Sequence, residues 1–218
     1  MNLAGIPIRL HWSFAVLFAG ASIYSLFSGG ISSLFSTVLL GTALFSSVVL
    51  HELGHALAAR YFGIETDNIT LYPFGGIASI RGMPRSPKQE FVIAAAGPAV
   101  NAVLFFSASL FWGLIGGQIV LTFAALNFVM GVFNLIPAFP MDGGRILRAV
   151  LSTQLGWFRA SEVAMQIGKG FAWLFVGVGF FWWTPSLLLV GMFLHVAIAT
   201  EWKRMMWEYA YSRKSRHY

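Results

Sequence analysis

The chain has 218 residues, 57% of them hydrophobic and only 10% charged, with a mean hydropathy of +0.73. Soluble domains carry about 25% charged residues, so the composition excludes a soluble domain with one anchor and implies an integral membrane protein. The lack of cysteine excludes a disulfide framework and thiolate metal sites, and the net charge of +6 reports membrane orientation before it reports nucleic acid.

The first apolar segment covers about 11–27. Only Arg9 precedes it and no small-residue cleavage site closes it, so it reads as a retained span rather than a signal peptide. His11, at its start, reads as an interfacial histidine bonded to backbone.

The second segment, 34–61, carries His51-Glu52-Leu53-Gly54-His55 toward its C-terminal end. Positions i and i+4 of a helix lie one above the other. His51 and His55 can therefore hold one metal ion while Glu52 faces the same site. Two imidazoles and a carboxylate suit Zn²⁺, with Glu52 as general base toward water. No charged residue occurs between positions 32 and 50, which places the motif at membrane depth. The bland alternative is a pair of hydrogen-bonded helix histidines with Glu52 paired to an arginine. It is the weaker reading, because ionisable groups at membrane depth are costly and functional by default.

Residues 64–82 are too short and too polar to span. Two β-prone runs flank Pro73-Phe74-Gly75-Gly76, which predicts a β-hairpin. A sheet edge cannot face lipid, so this element must border protein or a water-filled cavity.

The third segment is 91–115 and the fourth 119–136. Asn101, within the third, reads as a bond to a neighbouring helix. The fourth runs into Asn134-Leu135-Ile136-Pro137-Ala138-Phe139-Pro140-Met141-Asp142-Gly143-Gly144-Arg145. The prolines break the helix and the glycines permit an irregular turn. A metallohydrolase needs a third protein ligand with one position left open. Of the two aspartates, Asp67 falls in the hairpin, so Asp142 is the better third ligand; its bland alternative is a helix N-cap.

The fifth and sixth segments, 168–183 and 185–200, are separated by Thr184 and predict a tight helical hairpin. His195 reads as a packed, hydrogen-bonded residue. Trp12, Trp182, Trp183, Trp202 and Trp207 fall near span ends, as an aromatic belt does. The tail, 201–218, is basic with interleaved Trp and Tyr and suits anionic headgroups better than nucleic acid.

Six spans put residues 1–10, 62–90, 138–167 and the tail on one side. All fourteen Lys and Arg then fall on that side or at span ends facing it. By the positive-inside rule that side is cytosolic, as are both termini. His55 lies about 9 Å before the cytosolic end of its helix, at 1.5 Å per residue.

The two motif blocks together resemble the site-2 protease family of intramembrane zinc metalloproteases. HELGH at 51–55 looks like its first motif and NLIPAFPMDGGR at 134–145 like its second. RLHWS at 9–13 and AGPAVN at 96–101 extend the resemblance over nearly the whole chain. It implies that His51, His55 and Asp142 hold zinc, that Glu52 is the general base, and that Asn134 handles the substrate backbone or developing oxyanion. The hairpin is similar to the family's membrane re-entrant β-element. Within these 218 residues neither the PDZ domain of one branch nor the tandem CBS domains of the branch it looks most like is expected.

The expectation is one all-α integral membrane core of six transmembrane helices with a small membrane-associated β-hairpin. It binds one Zn²⁺ and cleaves transmembrane segments of membrane-anchored protein substrates, without nucleic acid. The edge formed by Ile77, Ala78, Ser79 and Ile80 is expected to pair with substrate. Two rivals stand beside this. One is a different membrane HExxH class taking Glu162 or Glu201 as third ligand. The other is a metal transporter or metal-binding membrane protein, which needs a polar route that only His195 and Asn101 offer outside the motifs. The oligomeric state is not legible.

Overall fold

The structure is a computed structural model that describes residues 2–72, 75–81, 84 and 86–214. The expected turn residues Pro73 and Phe74, the position Arg85 and the last four tail residues lie outside the described set. The chain divides into two compact units, Met1–Asn134 and Leu135–Tyr218.

The first unit opens with two strands, β1 (Asn2–Leu3) and β2 (Ile6–Leu10), followed by helix α1 (Trp12–Tyr61). His11 caps α1, its ring accepting from the Ser13 backbone N–H at 3.3 Å. Fifty helical residues amount to about 75 Å, more than twice a hydrocarbon core of about 30 Å. The helix resolves this at Gly30, whose φ of 68° and ψ of −162° are closed to other residues. The chain turns back there. Phe14 and Phe18 of the first limb meet the Phe45 ring of the second at 3.8 and 6.5 Å between centroids. Gly41 leaves room for the Phe18 ring, and Thr37 donates to Ser25 at 2.8 Å across the pair. Two apolar limbs thus pack as a hairpin, the second ending in the HExxH turns.

Beyond α1, β3 (Thr66–Tyr72) and β4 (Gly75–Ile80) form the hairpin expected at 64–82. It is not a separate ribbon, however. It belongs to a four-stranded sheet in the order β1-β2-β3-β4, because β2 pairs parallel with β3 in the register Ile8 with Ile69 and Leu10 with Leu71. Parallel strands need a long crossover, and α1 supplies it. Ile6, Ile69 and Leu71 of the sheet bury against Val49 and Ala56 of α1. β4 is an outer strand, and no strand pairs with its far edge among the described residues.

Helix α2 (Pro87–Ile115) starts at Ser86, whose side chain accepts from the Gln89 N–H, with Pro87 in the first turn. Gly116 and Gly117, at φ 71° and 100°, end it and lead into α3 (Gln118–Asn134). The two helices approach closely where Gly131 of α3 meets Asn101 of α2.

The second unit holds α4 (Asp142–Leu155), α5 (Trp157–Phe181) and α6 (Pro185–Lys214). α4 lies in a stretch expected as a cytosolic connection, with a helix there only as the alternative that makes Asp142 an N-cap, and α5 begins eleven residues before the predicted apolar segment. Turns of mixed character, from Trp157 and Phe158 through Arg159 and Glu162, extend α5 ahead of its apolar part. α5 and α6 form the expected tight hairpin, with the Thr184 N–H donating to Gly179 at 2.9 Å and Gly191 lying against Val176 and the Ala172 carbonyl. Phe139, Ala164, Met165, Ile198 and Met205 form one core of this unit.

Four described helices are long and apolar enough to cross a membrane: α1, α2, α5 and Pro185–Trp207 of α6; α3 is a shorter apolar helix. Their outward faces carry exposed large apolar side chains such as Phe27, Phe106, Leu110, Leu114 and Phe180. A face of this kind needs an apolar solvent, and the chain is an integral membrane protein.

Candidate metal centre

His51 and His55 sit one helical turn apart on the last turns of α1, each 5% exposed. Their Nε2 atoms converge to 3.1 Å, with the rings edge to face. Two zinc–nitrogen bonds of about 2.05 Å at a tetrahedral angle require about 3.3 Å between nitrogens, so the pair is set for one ion. Both outer nitrogens are engaged. His55 Nδ1 donates to the Ile93 carbonyl of α2 at 2.7 Å, and His51 Nδ1 meets Asn101 Oδ1 at 2.5 Å.

The space beside the two Nε2 atoms is kept by Gly97 of α2. A Cβ there would stand 2.3 Å from His55 Nε2 and 2.7 Å from His51 Nε2. Those lengths approach a metal–nitrogen bond, so the glycine preserves a void of the size and position a coordinated ion needs. Gly54 within the motif has the complementary task. Its missing side chain lets the Ala96 carbonyl of α2 come within 2.9 Å of where a Cβ would be. The residues present therefore fit a zinc ion.

Glu52 is half-buried and passes over β4. A Cβ on Gly76 would lie 2.5 Å from Glu52 Cγ, so the strand runs directly against the carboxylate arm. Sequence alone assigns Gly75 and Gly76 to a turn; the structure instead places both in β4, paired with Tyr72 and Leu71, with Gly76 against Glu52.

Asp142 belongs to the second unit, where it is buried and opens α4. It is the first helical residue and not the cap. That place is taken by Met141, which makes no side-chain capping bond. Gly143 and Gly144 exist because the preceding loop folds onto this turn. Side chains there would strike the Leu135 and Ile136 carbonyls at 2.3 and 2.2 Å and the Phe139 N–H at 2.5 Å. The other aspartate is occupied elsewhere, Asp67 lying 2.5 Å from Arg81 Nε on the sheet.

Asn134 ends α3 with its amide donating to the Met130 carbonyl at 3.0 Å. Ala78 and Ser79 lie on β4, Ala78 half-buried on the sheet core and Ser79 exposed. Ile77 and Ile80 pair by backbone with Thr70 and Thr66. Glu162 is held by Arg159 at 3.1 Å. His11 bonds Ser13, and His195 donates to its own helix at Gly191 while packing on Trp173.

Sequence reasoning missed Gly97 and the pairing of Asn101 with His51. Both residues lie in the AGPAVN stretch at 96–101, and Asn101 reads as a bond to a neighbouring helix, but nothing in that stretch names a histidine as partner.

The sequence pattern of peptidase family M50 matches residues 39–122 and 107–175. A zinc metalloprotease of Methanocaldococcus jannaschii is 38% identical over 208 residues, covering 92% of this chain and 59% of that one. Stage IV sporulation protein FB of Bacillus subtilis is 30% identical over 166 residues, covering 72% of this chain and 56% of that one. The chain thus spans less than two thirds of the length of these curated relatives. The solved structure of a site-2 protease from Methanocaldococcus jannaschii has a TM-score of 0.70 at 36% identity, covering 92% of this chain and 93% of that chain. With paired imidazoles of the right spacing on an apolar helix and matches of this extent, the chain belongs to peptidase family M50, the site-2 proteases.

Proposed function

We propose that the protein is a zinc-dependent intramembrane endopeptidase that cleaves transmembrane segments of membrane-anchored proteins. The observation that carries this is the convergence of the His51 and His55 Nε2 atoms at 3.1 Å, in an apolar helix, one residue from Glu52. Family membership supports the reaction class.

His51, His55 and Asp142 hold one Zn²⁺ per chain. Asp142 is favoured because Asp67 is committed to Arg81 and because Met141, not Asp142, occupies the cap position of α4. Bound zinc polarises the scissile carbonyl and lowers the pKa of water to about 7. Glu52 takes a proton from the attacking water and returns it to the leaving amine. Its neighbour Gly76 keeps β4 close to that carboxylate.

A transmembrane substrate hides its carbonyls in helical hydrogen bonds, so it must unwind before attack. Unwound backbone in lipid leaves groups that cost several kcal/mol each. The outer edge of β4, at Ile77, Ala78, Ser79 and Ile80, satisfies them by strand addition. Asn134 is the further polar group assigned to the substrate backbone.

The chain crosses the bilayer six times: the two limbs of α1, then α2, α3, α5 and α6. Both termini face the cytosol, on the side that carries the Lys and Arg, and the metal lies nearer that side.

The test is reconstitution with tagged single-span substrates. Glu52→Gln should retain zinc by elemental analysis and lose cleavage by about 100-fold or more, the usual worth of a general base. His51→Ala, His55→Ala and Asp142→Ala should lose both. Cleavage by Glu52→Gln at the wild-type rate, or metal transport into vesicles without cleavage, would reject the proposal.

A further inference from the structure

Asn101 and Asn127 are both fully buried, on α2 and α3. The Asn127 amide nitrogen donates to the Phe123 carbonyl at 3.0 Å. The Asn101 amide nitrogen donates to Asn127 Oδ1 at 3.2 Å, and Asn101 Oδ1 meets His51 Nδ1 at 2.5 Å. The direction of this chain is dictated from one end. A backbone carbonyl only accepts, so the Asn127 NH₂ must face Phe123 and its oxygen must face α2. Asn101 must then point its NH₂ to Asn127 and its oxygen to His51. The imidazole has no choice but to donate Nδ1–H, which leaves Nε2 with the lone pair beside His55.

We propose that Asn127 and Asn101 are positioning residues, a relay that fixes the tautomer and tilt of His51 from a backbone carbonyl on α3. The inference rests on the zinc reading for its purpose, but its geometry does not. His55 needs no relay, because Ile93 offers its carbonyl directly. The α2 backbone reaches one histidine of the pair, and side chains on two helices serve the other. An uncharged relay also suits this depth: a carboxylate there would bring a net charge into the apolar interior. Outer partners of ligating histidines are usually worth 10–100-fold in metal affinity.

The test uses the full chain in detergent, labelled with ¹⁵N-histidine. Metal-free protein at alkaline pH reports the His51 tautomer by long-range ¹⁵N–¹H correlation, with His51→Gln supplying the assignment. A chromophoric chelator reports zinc affinity. Wild type should show His51 as the Nδ1–H form. Asn101→Leu should lose that preference and bind zinc about 10–100-fold more weakly. Asn101→Asp, an acceptor on both oxygens, should keep the tautomer. Asn127→Leu should scramble the tautomer in the wild-type background, where Asn101 is then free to flip, and leave it unchanged beside Asn101→Asp, which has no donor to present.

An Nε2–H form in wild type overturns the relay. So does an equal tautomer effect of Asn127→Leu in both backgrounds, since that marks Asn127 as packing alone. If the tautomer pattern holds while wild type binds no zinc, the relay stands and the metal assignment fails.

Discussion

At the scale of single residues, the centre depends on atoms that are missing as much as on those present. Gly97 illustrates this, and it makes a sharp prediction. Within a helix, Gly→Ala ordinarily stabilises by about 0.5–1 kcal/mol. Gly113, on the same helix with nothing within 4 Å of a Cβ, should behave in that way. Gly97→Ala should do the opposite, because its methyl enters the space next to both Nε2 atoms. Zinc affinity measured by chelator competition should fall at least about 10-fold, and thermal melting should show no gain. Equal behaviour of the two alanine variants would remove Gly97 from the centre. The histidines were plain in the sequence because their geometry is local: a spacing of four on one helix needs no knowledge of the fold. Gly97 and Asn101 were not, because each acquires its meaning from α1, about forty to fifty residues earlier in the chain.

At the scale of elements, β4 is an edge strand set against the arm of Glu52. Adjacent residues of a strand direct their N–H groups to opposite edges. Of Ala78→Pro and Ser79→Pro, one therefore removes a donor from the open edge and the other removes one facing β3. Both should retain zinc. The first should cut proteolysis of a single-span substrate sharply with unchanged melting; the second should lose stability as well. Helix-breaking residues in the substrate should speed cleavage. Normal cleavage by both variants would make the strand structural and leave substrate holding to Asn134. The hairpin itself was legible from β-prone runs about a Pro/Gly turn. Its enlargement to four strands was not. Ile6 to Leu10 is short, contains Pro7, and finds its partner only beyond the whole of α1. Helix α4 was equally hidden, because it opens on Asp142-Gly143-Gly144, residues of low helix propensity that tertiary packing overrides.

At the scale of the whole molecule, the proposed six crossings make a prediction that cysteine scanning can check, since the native chain has none. Single cysteines at Ser33 and Gly117 should be labelled by an impermeant thiol reagent on intact cells. One at Arg159 should be labelled only after lysis. Reaction at position 159 from outside would overturn the topology. The parallel pairing of β2 with β3 has a further consequence, in time rather than in space. The ribosome makes β2 before α1 and β3 after it, so β2 waits without its partner while both limbs of α1 are synthesised. Closing so long a loop is entropically costly and slow compared with forming a local hairpin. The sheet, and with it the strand that lies against Glu52, can be completed only after the histidine-bearing helix has been made. Maturation of the nascent protein is thereby tied to the completion of α1, and a chain stalled before β3 holds its histidines without the edge proposed to receive a substrate.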